Sequence, residues 1–198
     1  MKLENSLPLE YKTHQNQLNI LGFWIFLGAE IMLFGTLFAS YFTLVDRTGT
    51  GPTGAEIFEI TPVLIETFVL LTSSFVIGLG IHAMRLGKKT AMMTFFAVTL
   101  LLGLVFLGFE IFEFVHYVHI GAGLQTSAFT AILLTTLGTH GAHVTFGFFW
   151  GLCILLQIKK RGLTTETANK AFIFSLYWHF LDVVWIFIFS FVYLKGMM

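Results

Sequence analysis

Eight acidic or imidazole side chains lie within long apolar segments or at their edges, where ionisable groups are rare and usually functional. They are Glu30, Glu110, Glu113, His116, His140, His143, His179 and Asp182. Four pairs among them have the spacing i, i+3, in the patterns Glu-x-x-Glu, Glu-x-x-His, His-x-x-His and His-x-x-Asp. Residues with this spacing share one face of an α-helix, so each pair can meet or share a partner on a neighbouring helix.

Three kinds of chemistry are compatible with these groups. A di-iron carboxylate site needs Glu-x-x-His from two helices, but the chain has this pattern once, at Glu113 and His116, near a helix end. A proton or ion path would run along Glu30, His143 and Asp182, which fall near the middle of their segments. The alternative is a structural network of hydrogen bonds between helices, and the residues favour this alternative over both others.

Composition indicates that the chain lies in a membrane. Hydrophobic residues make up 56% of the 198 residues and charged residues only 11%, whereas about a quarter of the residues in soluble domains are charged. A membrane-spanning helix needs about 20 mostly apolar residues. Five segments qualify, at about 20–45, 61–84, 90–118, 128–158 and 170–194. We therefore predict an all-α, polytopic membrane protein in which a polar tail over 1–19 precedes one five-helix transmembrane domain over 20–198.

The basic residues predict the orientation of the chain. Nine of the eleven Lys and Arg residues lie in the tail, in the turn at 85–89 or in the loop at 159–170. Loops rich in Lys and Arg remain on the cytoplasmic side, which predicts a cytoplasmic N-terminus and a C-terminus outside. The net charge of zero gives no indication of nucleic-acid binding. One cysteine, Cys153, can form neither an internal disulfide nor a thiolate metal cluster.

Four glycines are candidates for close helix packing. Gly147 and Gly151 form a small-xxx-small pair in the fourth segment, and Gly28 and Gly35 lie one heptad apart in the first. Such spacing allows the backbones of two helices to approach. The alternative is that membrane helices are simply rich in glycine, and the sequence leaves both interpretations open.

Several motifs resemble those of one family. Gly-Thr-His-Gly-Ala-His-Val at 138–144 and Tyr-Trp-His-Phe-Leu-Asp-Val-Val-Trp at 177–185 resemble subunit III of the haem-copper terminal oxidases. Leu-Gly-Phe-Trp at 21–24, followed by Glu30, and Glu-x-x-Glu-Phe at 110–114 fit the same family. The resemblance covers about 21–196 and is to the five-helix bacterial form. Segments 51–59 and 63–68 are similar to bo-type ubiquinol oxidases, whereas 116–119 and 127–129 are similar to aa-type menaquinol oxidases.

The resemblance implies an accessory subunit of a proton-pumping quinol oxidase in the bacterial plasma membrane, whose complex oxidises quinol and reduces O2 to water. By this resemblance the chain holds no haem or copper and is not catalytic by itself. The haems and copper belong to the catalytic subunit I, and subunit II and a small subunit IV are further partners. The family also implies phospholipid bound in a cleft between the first two and the last three helices, and Glu30 matches its carbodiimide-reactive carboxylate. The alternatives are subunit III of a cytochrome c oxidase and a self-sufficient ion or proton transporter.

Overall fold

A computed structural model describes residues 7–49 and 51–197. In this part of the chain, five long helices are α1 (His14–Leu44), α3 (Ile60–Arg85), α4 (Lys89–His119), α5 (Ala128–Arg161) and α6 (Thr165–Ile188). A 3₁₀ turn (Leu9–Tyr11) precedes α1, a short helix α2 (Gly54–Ile57) precedes α3, and a π-helical segment (Phe189–Leu194) continues α6. All five long helices are long and apolar enough to cross a membrane. The predicted all-α fold with five transmembrane helices is therefore confirmed.

Two helices begin earlier than hydropathy predicts. Helix α1 begins at His14, well before the predicted start near residue 20, because the Thr13 hydroxyl accepts a hydrogen bond from the Asn16 N–H at 3.1 Å. Helix α6 likewise begins at Thr165, where Thr164 caps it. Hydropathy identifies the apolar part of a helix, whereas polar capping residues determine where the helix begins.

Helix α6 lies at the centre of the bundle and packs against α1, α3 and α5. The most extensive contact is between α3 and α4, and α4 also packs against α5. Helix α1 packs against α5 and α6 with one narrow face, on which Ile20, Leu27, Phe34 and Tyr41 are buried at intervals of one heptad. The remaining faces of α1 are exposed in the isolated chain.

The packing differs from the expected cleft between the first two and the last three helices. Helix α1 packs against α5 and α6, whereas α3 packs against α4 and α6, so α1 and α3 do not form a pair. That part of the prediction is wrong, because it grouped the helices by their order in the sequence. The structure instead has an apolar groove of about 190 Å³ between α1 and α6, with Phe34, Gly35, Phe38, Phe180 and Phe187 among its lining residues.

The four candidate packing glycines have different surroundings. A Cβ atom at Gly151 would lie 2.7 Å from the Phe174 ring, and one at Gly147 would lie 3.0 Å from the Tyr177 ring. These two glycines of α5 therefore face the aromatic side chains of α6. A Cβ atom at Gly28 or Gly35 would meet nothing within 4 Å, so neither glycine allows a close helix approach within the described chain.

Candidate functional site

Glu30 and His143 connect α1 to α5. The Glu30 carboxyl oxygen Oε2 lies 3.1 Å from His143 Nε2, and His143 Nδ1 lies 2.7 Å from the Thr139 carbonyl oxygen. Because a carbonyl oxygen only accepts, Nδ1 carries a hydrogen in this arrangement. Nε2 then accepts a hydrogen bond from a protonated Glu30, or donates one to the Glu30 carboxylate. In either case one hydrogen bond joins α1 to α5.

His179 and Asp182 share a face of α6 but do not hydrogen-bond to each other. His179 Nδ1 lies 2.7 Å from the Ser74 hydroxyl oxygen on α3. Asp182 is buried, and its Oδ1 has no hydrogen-bond partner among the described residues. It also forms no hydrogen bond with Glu30 or His143, so the three residues of the possible proton path do not form a continuous chain of hydrogen bonds.

His140 lies at the centre of the bundle and is fully buried. Its Nε2 lies 3.2 Å from the Leu181 carbonyl oxygen on α6, and its ring packs against Trp185 and Phe106. The Trp185 indole N–H donates to the Thr67 hydroxyl on α3 at 3.0 Å. This group joins α3, α4, α5 and α6, while His140 Nδ1 has no partner among the described residues.

Three buried acids come from α3 and α4, and we call Glu66, Glu110 and Glu113 the carboxyl cluster. Glu113 accepts hydrogen bonds from the hydroxyl groups of Tyr117, at 2.7 Å, and Tyr193. Glu66 and Glu110 are buried, and neither carboxyl group has a hydrogen-bond partner among the described residues. The Glu110 carboxyl group faces α5, since a Cβ atom at Gly141 would lie 2.6 Å from its oxygen Oε2.

A cleft of about 180 Å³ opens beside the carboxyl cluster. Its polar lining comes from Glu59, Glu113 and His116, and its apolar lining includes Phe109 and Phe112. Glu59 and His116 are exposed, whereas Glu113 is buried behind them. His116 therefore lies at the mouth of the cleft and makes no hydrogen bond to Glu113.

Several residues around these groups are not among the candidate site residues that the sequence analysis named. Glu66 lies near the start of a helix in sequence but is fully buried. Ser74, Tyr117 and Tyr193 supply hydroxyl groups from separate helical turns. Their chemical type gives no signal, because Ser, Thr and Tyr are common in membrane helices, and only the packing of the helices brings them to the acids and imidazoles.

A second polar contact joins the predicted N-terminal tail to the bundle. Glu10 is fully buried, and its Oε1 accepts hydrogen bonds from Arg85 at the end of α3, with Nη2 at 2.8 Å. The Asn169 side chain on α6 donates to the backbone carbonyl oxygens of Glu10 and Asn16, both at 3.1 Å. Residues near the N-terminus are thus fixed against the ends of α3 and α6.

The polar side chains of the described residues do not form a metal centre. Within residues 7–49 and 51–197, no three or more His, Cys, Asp or Glu side chains are grouped so that they could hold a metal ion. The arrangement consists instead of separate hydrogen-bonded contacts between helices and one cluster of acids beside a cleft.

Comparison with known proteins gives a consistent result over almost the whole chain. The family model for cytochrome c oxidase subunit III matches residues 9–197. Quinol oxidase subunit 3 of Bacillus spizizenii and that of Bacillus subtilis are each 58% identical over 193 residues, covering 98% of this chain and 95% of the relative. A probable quinol oxidase subunit 3 of Staphylococcus haemolyticus is 53% identical and covers 96% and 94%. The chain therefore belongs to the cytochrome c oxidase subunit III family.

Proposed function

We propose that this chain is the accessory, non-redox subunit III of a haem-copper quinol oxidase. The observation that supports this most strongly is the 58% identity to two proteins named quinol oxidase subunit 3, over nearly the full length of both chains. In this proposal the complex oxidises quinol and reduces O2 to water, and its haems and copper belong to the catalytic subunit I. Subunit II and a small subunit IV complete the assembly.

The outer faces of the helices provide the surface for this assembly. Helix α1 exposes large apolar side chains, among them Ile25 at 70% and Met32 at 72% exposure, and α4 exposes Phe112 at 72%. Contiguous apolar surface of this kind must be covered by lipid or by other membrane helices. The internal hydrogen bonds between helices keep the bundle rigid, so that it can support the catalytic subunit.

We further propose that the chain lies in the bacterial plasma membrane with its N-terminus in the cytoplasm. The relatives named above come from bacteria. Arg85, Lys89, Lys159 and Lys170 lie at one end of the bundle, where the Lys89 ammonium group lies 3.5 Å from the Lys159 carbonyl oxygen. Basic residues at that end support a cytoplasmic location for it. Labelling single cysteines introduced at exposed positions 88 and 124, from each side of intact cells, tests the orientation.

The apolar groove between α1 and α6 is our candidate position for a bound phospholipid chain. Its walls are phenylalanine and aliphatic side chains, and Gly35 leaves open space at its surface. A Cβ atom at Gly35 would meet nothing within 4 Å, so Gly35→Leu extends a side chain into the groove, and we expect less phospholipid to co-purify with the complex. The matched control is Gly22→Leu. Gly22 also lies on α1, and a Cβ atom there would also meet nothing within 4 Å.

Purification of the tagged chain from membranes tests the assignment. We expect a haem-bearing subunit to co-purify, and we expect the complex to consume O2 when quinol is supplied. If the chain never co-purifies with a haem-bearing subunit, the proposed function is wrong. Proton or ion flux through the purified chain alone in vesicles would instead support a self-sufficient transporter.

The second candidate is subunit III of a cytochrome c oxidase, which the description of the matching family favours. The electron donor distinguishes the two candidates directly. Oxidation of reduced cytochrome c by the purified complex, without oxidation of quinol, would support the second candidate and reject the first.

A further inference from the structure

Glu110 is buried without a hydrogen-bond partner where α4 packs against α5. It is 4% exposed, and neither of its carboxyl oxygens has a partner among the described residues. A Cβ atom at Gly141 on α5 would lie 2.6 Å from its Oε2, so the carboxyl group lies directly against the α5 backbone. A scaffold alone does not account for such a residue, because a buried polar group without a partner weakens the fold.

The Glu110 carboxyl group lines an apolar groove between α4 and α5, which we call the α4–α5 groove. This part of the groove has a volume of about 260 Å³. Its other lining residues include Ile111, Val115, Gly138, Gly141 and Thr145. Two further cavities, both lined by Phe114 and Val118, continue the groove toward the loop at 120–127. On α5 the groove extends from Thr145 to Leu134, which corresponds to about 16 Å of helix.

The α5 wall of the groove has the spacing of a helix-packing surface. Alternating steps of three and four residues connect six exposed or partly exposed residues, namely Thr135, Gly138, Ala142, Thr145, Phe149 and Leu152. The first four are small and the last two are large. This heptad spacing allows a second helix to pack at a small crossing angle, and small residues let membrane helices approach closely. On α4 the exposed residues Ile111, Val115 and Val118 have the same spacing.

The chemistry of Glu110 distinguishes a helix from a lipid chain as the occupant of this groove. An acyl chain offers no hydrogen-bond donor, so it would leave the carboxyl group without a partner. Polar side chains such as Ser, Thr, Asn and Gln form hydrogen bonds across the interfaces of membrane helices. A cationic side chain would itself have to be desolvated, and the attraction in a buried ion pair often does not offset that cost. A neutral donor on a transmembrane helix therefore fits the site best.

We propose that the α4–α5 groove is the docking site for a transmembrane helix of another subunit of the oxidase, and that a neutral side chain of this helix donates a hydrogen bond to Glu110. This inference rests on the proposed function, since it takes the partner from the same complex. The helix packs along the small residues of α5, and its donor lies at the level of Gly141. The α1–α6 groove, our candidate position for phospholipid, is a separate surface.

Photo-crosslinking in native membranes identifies the occupant. A genetically encoded benzophenone amino acid replaces Val115 or Phe149, which are both large and exposed and lie on opposite walls of the groove. We expect both positions to crosslink to the same transmembrane segment of another oxidase subunit, identified by mass spectrometry of the crosslinked peptides. Phe75 on α3, which is similarly exposed but lies outside the groove, is the matched control and should not reach that segment.

Three outcomes of this experiment overturn the proposal. They are crosslinks only to lipid, crosslinks only to a second copy of this chain, and crosslinks only to a protein outside the oxidase. The same segment reached equally from position 75 would also overturn the assignment of the helix to this groove.

Glu110→Leu and Glu110→Gln test the hydrogen bond. Because Glu110 has no partner among the described residues, leucine breaks no hydrogen bond there, whereas glutamine keeps a donor and an acceptor. We expect Glu110→Leu to weaken retention of the crosslinked subunit in detergent by about 3- to 15-fold, the range measured for hydrogen bonds between membrane helices. Glu110→Gln should remain near the wild type. Equal retention in both variants would reject the hydrogen bond, and an equal loss in both would reject a neutral donor.

The docking site and the proposed function can fail separately. If no haem co-purifies with the wild-type chain, the assignment to the oxidase is wrong. If haem content is normal but the crosslinks reach only lipid, the docking site alone is wrong. The crosslinking experiment retains Glu110 and therefore remains decisive if Glu110→Leu does not fold.

Discussion

Alanine at Gly151 provides the most direct test of the helix packing. The added Cβ atom would lie 2.7 Å from the Phe174 ring and 2.8 Å from the Leu100 side chain. Both neighbours are buried, with Phe174 at 0% and Leu100 at 4% exposure, so neither can turn away without displacing others. Overfilling a packed core of this kind costs about 1–3 kcal/mol of unfolding free energy.

The matched control is alanine at Gly28, where the added atom meets nothing within 4 Å. Both substitutions replace a glycine inside a long helix, so each gains a similar helix-propensity term of about 0.8–1.0 kcal/mol. That term cancels in the comparison. Gly151→Ala should therefore be less stable than Gly28→Ala by about 1–3 kcal/mol, the steric contribution alone.

Unfolding of the purified chain by titration with dodecyl sulfate in mixed micelles, followed by tryptophan fluorescence, measures the difference. Trp150 and Trp178, next to the α5–α6 interface, report on its separation. Equal unfolding midpoints for Gly151→Ala and Gly28→Ala would refute the packing of α5 against α6 described above. A stability loss confined to Gly28→Ala would indicate that α1, not α5, makes the close contact.

Three further substitutions test individual polar contacts. Arg85→Leu removes the hydrogen bonds to the buried Glu10 carboxyl group, and we expect a loss of about 1.5–3 kcal/mol in unfolding free energy; an unchanged midpoint would show that the contact contributes nothing. Glu30→Gln keeps an amide N–H that can donate to His143 Nε2, so we expect normal co-purification with the haem-bearing subunit, and loss of assembly would show that the amide does not replace this contact. Trp185→Phe removes the indole hydrogen bond to α3, for which we expect a cost of at least about 0.5–1.5 kcal/mol in thermal unfolding, and no change in melting temperature would count against that bond.

The five helices could be predicted because each contains a long apolar segment, and crossing a membrane requires one. Hydropathy alone could not predict the helix starts, since His14 and Thr165 depend on capping by single polar side chains. Hydropathy also could not predict which helices pack against each other. Spacing along one helix indicates which residues share a face, but it does not indicate which helix that face meets.

The polar contacts illustrate the same limit. His179 and Asp182 have the i, i+3 spacing, which left open whether they meet or share a partner on a neighbouring helix. Only the packing of α6 against α3 shows that the imidazole contacts Ser74. Glu30 and His143 both fall near the middle of their segments, but only the packing of α1 against α5 shows that they meet.

Helix α1 lies N-terminal to α5 and α6, the helices that it packs against, so it is translated well before them. After insertion it has no major partner within its own chain until these two helices leave the ribosome. Helices α3 and α4, whose contact is the most extensive, can pack as soon as both are inserted. The packing of α1 is therefore completed only after α5 and α6 are made, whereas α3 and α4 can pair during translation.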